Sequence, residues 1–471
     1  MIEIQKVSFS YGEGKAALKD ISLTVQPGET LLLCGESGCG KTTVTRLING
    51  LIPHYYPGTL SGTVTVGGKN PSETPLCDLA EMVGSVFQNP KSQFFNVDTT
   101  SELAFACENV GMDPALIRSR MKLAAENLHL EPLLGRSIFN LSGGEKQKIA
   151  CGSVSMLSPA CVVLDEPTSN LDIPGIHMLR QVMGYWKQQG RTVIISEHRL
   201  WFLKDLADRV VCLKEGRIAE EFTGSEFFRQ EDSFYRERGL RSPRNLAPEF
   251  EENRTDGEAL ELRNLYYSYA NHREALHIPE LRIPAGQVTA LVGHNGAGKS
   301  TLVNCLCGLN KKDKSVLTFE GRTWSRKKRM QLCFPVMQDV SHQLFTDSVL
   351  DEVLLSVEEE EEAKAMEILR TMDLETEADS HPMALSGGQK QRVAVACALA
   401  SGRQVIILDE PTSGLDLKHM QQVAGQLRML KEAGKTVLVV THDAELIRCS
   451  CDGVLTLRDG RITEYDRELF S

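Results

Sequence analysis

Gly35-Glu36-Ser37-Gly38-Cys39-Gly40-Lys41-Thr42 and, 258 positions on (293 − 35), Gly293-His294-Asn295-Gly296-Ala297-Gly298-Lys299-Ser300 spell one pattern, G-x-x-x-x-G-K-[ST]. Each follows a short apolar run that reads as a strand, Thr30 to Cys34 and Val288 to Val292. In a strand-loop-helix setting the glycines let backbone N–H groups curl around phosphate oxygens at the mouth of a helix, where the dipole also favours an anion. Lys41 and Lys299 are then placed to reach β and γ phosphates, and Thr42 and Ser300 to offer a hydroxyl to magnesium. The chain reads as carrying two nucleotide sites.

The register continues. Leu141-Ser142-Gly143-Gly144-Glu145 returns as Leu385-Ser386-Gly387-Gly388-Gln389, Asp165-Glu166 as Asp409-Glu410, and His198 as His442, each 244 positions later (386 − 142, 409 − 165, 442 − 198). The fall from 258 to 244 places extra residues in the first copy, between its phosphate loop and its LSGG segment, as a surface insertion would. LSGG(E/Q) ahead of an apolar strand that ends in Asp-Glu-Pro is the mark of the ABC ATPases, and the chain resembles that family over nearly its whole length. The resemblance implies an α/β fold: two tandem P-loop NTPase domains of ABC type, each with a mostly parallel core sheet, an antiparallel β subdomain and a helical subdomain. It implies ATP and Mg2+ as ligands.

At 471 residues the chain is long enough for two domains of about 200 residues. The repeat places them at 1–222 and 258–471, joined by a polar linker, 223–257, that holds Pro243, Pro248 and Glu249-Phe250-Glu251-Glu252. Phe227, Phe228, Phe234 and Tyr235 predict that the linker's first part packs back on the first domain. A hydrophobic content of 41% and no apolar run near the roughly 18 residues that span a bilayer argue against a membrane segment. The alternating start Ile2-Glu3-Ile4-Gln5 reads as a strand, so no signal or transit peptide is expected and the chain is expected in the cytoplasm. Thirteen cysteines lie mostly in apolar segments without metal-type CxxC pairs, and read as reduced core residues. Cys39 lies inside the first phosphate loop. A net charge of −11 argues against non-specific nucleic-acid binding as a main activity. The basic run Arg326-Lys327-Lys328-Arg329 and the acidic run Glu358 to Glu362 read as solvated surface.

Four-residue apolar runs, Cys161 to Leu164 and Val405 to Leu408, suit strands of a parallel sheet buried on both faces. They deliver Asp165 and Asp409, read as holders of the magnesium shell. Glu166 and Glu410, one position on, are read as orienting or deprotonating the attacking water. Strands Thr192 to Ile195 and Thr436 to Val440 deliver His198 and His442, each 33 residues after its aspartate, where the resemblance puts a γ-phosphate sensor. Gln88 and Gln338 resemble Q-loop residues that approach magnesium, so the expected metal set is Thr42, Gln88 and Asp165, with Ser300, Gln338 and Asp409 as its repeat. Tyr11 and Tyr269 each precede the first loop glycine by 24 residues and can stack on adenine. Tyr266 and Tyr267 read as core. Thr43 and Thr301 complete the expected nucleotide contacts.

Ser142-Gly143-Gly144 and Ser386-Gly387-Gly388 each open a helix, offering an N-cap hydroxyl and bare N–H groups to a phosphate. The resemblance implies that two ABC domains pair head to tail, each signature closing the other domain's phosphate loop, so one chain supplies its own dimer. One composite site joins Lys41, Thr42, Gln88, Asp165, Glu166 and His198 with Ser386 to Gln389. The other joins Lys299, Ser300, Gln338, Asp409, Glu410 and His442 with Ser142 to Glu145, where Glu145 departs from the usual Gln.

Phe87-Gln88-Asn89-Pro90-Lys91-Ser92-Gln93-Phe94-Phe95 and Gln338-Asp339-Val340-Ser341-His342-Gln343-Leu344-Phe345 resemble the FQ(N/D)P-x-x-Q-(L/F) segment of energy-coupling factor transporter ATPases. Ser101-Glu102-Leu103-Ala104-Phe105 and Val349-Leu350-Asp351-Glu352-Val353 extend the match, and Val340 departs where proline is usual. This resemblance implies an ATPase subunit, peripheral on the cytoplasmic face of the cell membrane, that energises uptake of a vitamin or transition-metal ion. Its partners would be a transmembrane scaffold subunit and a small substrate-binding membrane subunit, with no nucleic acid. Phe94, Phe95, Leu344 and Phe345 are expected at or near a groove that docks helices of a membrane subunit. A soluble tandem ABC protein acting on ribosomes or nucleic acid is the alternative, and the ATPase of a sugar importer a third.

Overall fold

The computed structural model describes residues 1–12, 16–244, 247–248, 257–269, 274–357 and 361–463. The acidic stretches Glu249 to Glu252 and Glu358 to Glu360 lie outside the described residues. The chain divides into two units. Met1–Arg244 with the short segment Gly414–Lys418 makes one, and Asn245–Ser413 with His419–Ser471 the other.

In the first unit, strands β1 (Ile2–Ser10), β2 (Leu18–Val25) and β4 (Thr59–Val66) form an antiparallel sheet in the order β2-β1-β4. Strands β3 (Thr30–Cys34), β5 (Val83–Val86), β6 (Cys161–Asp165), β7 (Thr192–Ser196), β8 (Arg209–Lys214) and β9 (Arg217–Thr223) form the second, in the order β5-β6-β7-β3-β8-β9. Its pairs are parallel except β8-β9. Because side chains alternate along a strand, each central strand feeds two cores. Leu32, Val162, Leu164, Val193, Ile195 and Val210 point into one with Trp186 and Phe202. Leu31, Leu33, Val163, Ile194 and Val211 point into the other with Phe9, Ile21 and the helix residues Val44 and Leu47. The sheet is therefore covered on both faces, which is why its strands read as unbroken apolar runs.

The second unit repeats this plan, with one strand more in its antiparallel sheet. Strands β10 (Ala259–Ser268), β11 (Glu274–Pro284), β13 (Val316–Phe319) and β14 (Arg322–Trp324) form the antiparallel sheet, in the order β11-β10-β13-β14. Strands β12 (Val288–Val292), β15 (Cys333–Val336), β16 (Val405–Asp409), β17 (Thr436–Val440), β18 (Gly453–Arg458) and β19 (Arg461–Thr463) run in the order β15-β16-β17-β12-β18-β19. Each unit also carries a helical region before its signature, Thr99–Asn109 with Pro114–Leu128 in the first and Val349–Leu354 with Glu362–Thr371 in the second. The expected α/β architecture is thus present twice. Between Gln88 and Gln338 the offset is 250, so the longer first copy gains 8 residues before its Q-loop (258 − 250) and 6 after it (250 − 244).

Phe227 and Tyr235 are fully buried in the first core, and the Tyr235 hydroxyl donates to the Phe227 carbonyl. One surface expectation is corrected. Within the basic run Lys327 and Lys328 are exposed, but Arg329 is 1% exposed and its guanidinium donates to Asp313 Oδ2 (2.6 Å) and to the carbonyls of Cys305 (2.7 Å) and Ser315 (2.6 Å). A buried guanidinium is tolerated when carboxylate and carbonyl acceptors replace its water. Ten of the thirteen cysteines are buried, Cys451 is half-buried, and Cys77 and Cys449 are exposed, all as free thiols.

Candidate functional site

The first phosphate loop leaves β3 at Gly35, whose φ of 142° and crowded position admit no side chain: a Cβ there would lie 2.3 Å from the Leu213 carbonyl oxygen. Lys41 opens the helix Lys41–Ile48 and is 4% exposed. Its ammonium folds back over the loop, donating to the carbonyls of Gly35 (2.9 Å) and Glu36 (3.1 Å). The Ser37 backbone N–H donates to Asp416 Oδ2 (2.7 Å), a residue of the short segment that belongs to this unit. At the end of β6, Asp165 Oδ1 accepts from Thr42 Oγ1 (3.1 Å) and from the Ser196 hydroxyl. Burial raises the Asp165 pKa, with the two hydroxyls pulling the other way. A hydroxyl and a carboxylate oxygen side by side form the donor set a hard cation takes.

Glu166 leaves the strand direction through a left-handed backbone, φ 45°, while its N–H still pairs with the Ser196 carbonyl (2.9 Å). That turn swings its carboxylate to where Oε1 lies 3.2 Å from His198 Nε2 and Oε2 accepts from Gln88 Nε2 (3.0 Å). Burial pushes the Glu166 pKa up, but His198 and Lys41 outweigh it and leave it below the usual carboxylate range. A charged carboxylate held in this way can orient or accept a proton from water.

The second half builds the same cluster with other bonds. Gly293 has φ 153° and a Cβ there would meet the Leu457 carbonyl oxygen at 2.1 Å. Lys299 donates to the carbonyls of Gly293 and His294 and also to His442 Nε2 (3.0 Å). Since an ammonium can only donate, that imidazole nitrogen is the acceptor. Glu410, φ 47°, places Oε1 3.3 Å from His442 Nε2. Ser300 is exposed and Asp409 half-buried, and burial raises the Asp409 pKa against the pull of Lys299.

Both tyrosines selected by register reach their phosphate-loop helix. Tyr11 Oη lies 3.1 Å from Thr43 Oγ1, and Tyr269 Oη 2.8 Å from Thr301 Oγ1. Their rings are 42% and 48% exposed, which leaves a face for a base. The first is backed by a cation, since Arg46 donates to Tyr11 Oη (3.1 Å) and lays its guanidinium 3.9 Å over the Tyr56 ring, and the second by the edge-on ring of Tyr267. Cys39, within the loop, is buried, and burial raises its thiol pKa.

The signatures open helices Gly143–Met156 and Gly387–Ala400 as capping boxes. The fourth signature residue turns back on its own cap. Glu145 Oε2 accepts from Ser142 N–H (2.7 Å) while Oε1 meets Arg136 (2.9 Å); Gln389 Oε1 accepts from Ser386 N–H (2.9 Å) while its amide meets Glu377 (3.2 Å). Arg136 answers the charge at Glu145, a partner that the sequence reading missed.

The segments after Gln88 and Gln338 share one set of bonds. Asn89 and Asp339 cap short turns by accepting from Lys91 and Ser341 N–H (both 3.0 Å). Gln93 and Gln343 brace the preceding strand, bonding Ser85 O (3.0 Å) and Pro335 O (2.7 Å). Buried Glu102 accepts from the N–H groups of Phe95 (3.0 Å) and Asn96 (2.8 Å), and buried Glu352 from those of Phe345 and Thr346 (both 3.0 Å). Val340 is buried where Pro90 is buried in the first copy. Of the four residues expected at a docking groove, Phe95 and Phe345 are 75% and 77% exposed, whereas Leu344 is buried and Phe94 packs against the first core.

Comparison with known proteins agrees with the repeat. The family model described as ABC transporter matches residues 18–169 and 276–413. A Treponema denticola protein named as an ABC transporter ATP-binding protein is 43% identical over 473 residues, covering 98% of this chain and 96% of its own. A Methanosarcina acetivorans protein of the same description is 33% identical, covering 98% and 85%. Among solved structures, RNase-L Inhibitor is similar in fold, with TM-score 0.63 at 22% identity over 97% of this chain and 90% of that one.

Proposed function

Because this chain belongs to the family of ABC transporter ATP-binding proteins and carries the ATPase domain twice, we propose that it is the duplicated ATP-hydrolysing subunit of an energy-coupling-factor-type importer. Its cargo would be a vitamin or a transition-metal ion. The proposed domains are 1–222 and 258–471, and the two helices that follow Thr223 are an appendage of the first.

Domains of this family bind ATP, generally with magnesium. Thr42 and Asp165, and Ser300 and Asp409, would hold the ion with Gln88 and Gln338, and the ion would offset phosphate charge there. Lys41 and Lys299 bind the phosphates. Glu166 and Glu410 hold the attacking water and accept its proton, while His198 fixes the Glu166 carboxylate and both His198 and His442 sense the γ phosphate. Tyr11 and Tyr269 stack the base. The signature helices, Ser142 to Gly144 and Ser386 to Gln389, complete the opposite site of the same chain.

The observation that carries the importer reading is the pair Phe95 and Phe345, exposed at one repeat position and held outward by buried Glu102 and Glu352. A large exposed aromatic whose backbone is pinned this way is an anchor for a partner. The partner of this reading is a helix of a transmembrane scaffold subunit, so the chain sits on the cytoplasmic face of the membrane. Among the described residues no helix is long and apolar enough to cross it. Affinity purification of the full chain from native membranes in mild detergent is expected to recover a transmembrane scaffold and a small substrate-binding membrane protein. Phe95→Asp with Phe345→Asp should lose both and keep ATP binding. Recovery of ribosomes, or of no membrane protein, overturns the reading.

A further inference from the structure

We infer that Glu197 is a positioning residue that fixes Glu166 and His198 in the first ATP site, and that the second site, with Thr441 at the same place, does without this tie. Glu197 is 3% exposed and directly precedes His198. Its two oxygens split between two chain segments. Oε2 accepts from Thr168 Oγ1 (2.7 Å) and Thr168 N–H (3.3 Å), in the turn that follows Asp165 and Glu166. Oε1 accepts from the N–H groups of His198 (2.8 Å) and Arg199 (3.1 Å), in the loop that follows β7. One buried carboxylate thus bolts the turn carrying Glu166 to the loop carrying His198. All four contacts are donors, so the ionised form is the one the geometry satisfies.

At the corresponding place in the second half the residue is Thr441 (197 + 244). Its hydroxyl accepts from Asp443 N–H (3.1 Å), inside its own loop, and among the described residues bonds no other segment. Thr412, the counterpart of Thr168, keeps a buried Oγ1 with no partner. The neighbouring tie is missing too, since Ser196, which donates to Asp165, is replaced by Val440. The distances from glutamate to histidine are close in the two halves, 3.2 and 3.3 Å. What differs is what stands behind them: the Glu197 carboxylate in the first half, and in the second a lysine bonded to the histidine itself.

The inference rests on the reading that Glu166 and His198 carry hydrolysis, and the test separates the two. The full chain is incubated with magnesium, vanadate and photoreactive 8-azido-ATP, and labelled peptides of each half are counted by mass spectrometry. Glu197→Gln is expected to cut vanadate-dependent trapping in the first half about tenfold or more, as a displaced catalytic group does. Labelling of that half without vanadate, and trapping in the second half, should stay within about twofold. Thr168→Val removes the same tie from its other end and should give the same pattern, should Glu197→Gln fail to fold. First-half trapping unchanged in either folded variant, or equal loss in both halves, overturns the inference. A wild-type chain that binds but never traps in its first half would overturn the hydrolysis reading itself.

Discussion

At the end of β7 the first half carries Ser196, Glu197 and His198; at the end of β17 the second carries Val440, Thr441 and His442. Around these six residues the backbones agree closely. Glu166 and Glu410 share a left-handed φ, 45° and 47°, and their N–H groups pair with the carbonyls of Ser196 and Val440. The side chains do not agree. In the first half the lysine bonds only its own loop and hydroxyls tie Thr42 and Ser196 to Asp165, whereas in the second the lysine also bonds the histidine. The sheet and the glycine loop deliver the reactive groups to one place, so the repeat could keep them while the bonds behind them diverged.

The largest test of that comparison is whether both halves work. Glu166→Gln and Glu410→Gln should each lower ATP turnover of the assembled complex by roughly 10²–10⁴-fold, the usual loss when a positioned acid–base group is removed. Steady-state phosphate release measures it. If Glu410→Gln leaves the rate unchanged, the shared backbone hides one working site and one that only binds.

A smaller effect tests the backbone itself. Gly35→Ala and Gly293→Ala would each press a Cβ to within 2.3 and 2.1 Å of a carbonyl oxygen at a φ that alanine avoids. Each should destabilise the chain by about 2 kcal/mol or more, through the left-handed strain and the displaced strand. Thermal unfolding should show two drops of similar size, and unequal drops would mean that the loops are less alike than their backbones indicate.

Much of this was legible because it is local. The phosphate loop, the Asp-Glu pair and the N-cap serines Ser142 and Ser386 are patterns of fixed short spacing, and the tyrosines were found by register alone. What escaped was contact between distant positions. Glu197 reaches back to Thr168 across 29 residues, and nothing in the string Ser196-Glu197-His198 announces it. Arg329 sat in a basic run that reads as surface, yet its carboxylate partner, Asp313, is 16 residues earlier. The aromatics Phe94 and Phe95, adjacent and chemically alike, point one inward and one outward because Glu102 fixes the turn between them and the next helix.

The smallest effect concerns the signature, where the halves differ by one charge. Glu145 would repel a phosphate, but its carboxylate is turned to Ser142 N–H and to Arg136. Burial pushes its pKa up, and these donors bring it below the usual range. Arg136 and Glu145 are 42% and 32% exposed, so the pair is screened and worth about 0.2–1 kcal/mol. A carboxylate whose folded pKa is depressed adds stability above its unfolded pKa and loses it as pH falls through the folded one. Arg136→Ala should therefore lower the unfolding midpoint slightly near pH 7, and the gap from wild type should close as the medium is acidified below the ordinary glutamate range. Gln389 carries no such charge, so Glu377→Ala in the second half should cost a similar small amount with no closing of the gap that traces to its signature residue. A gap for Arg136→Ala that holds constant into acid would mean that Arg136 stabilises by packing, and that the charge difference between the two signatures is not answered by this pair.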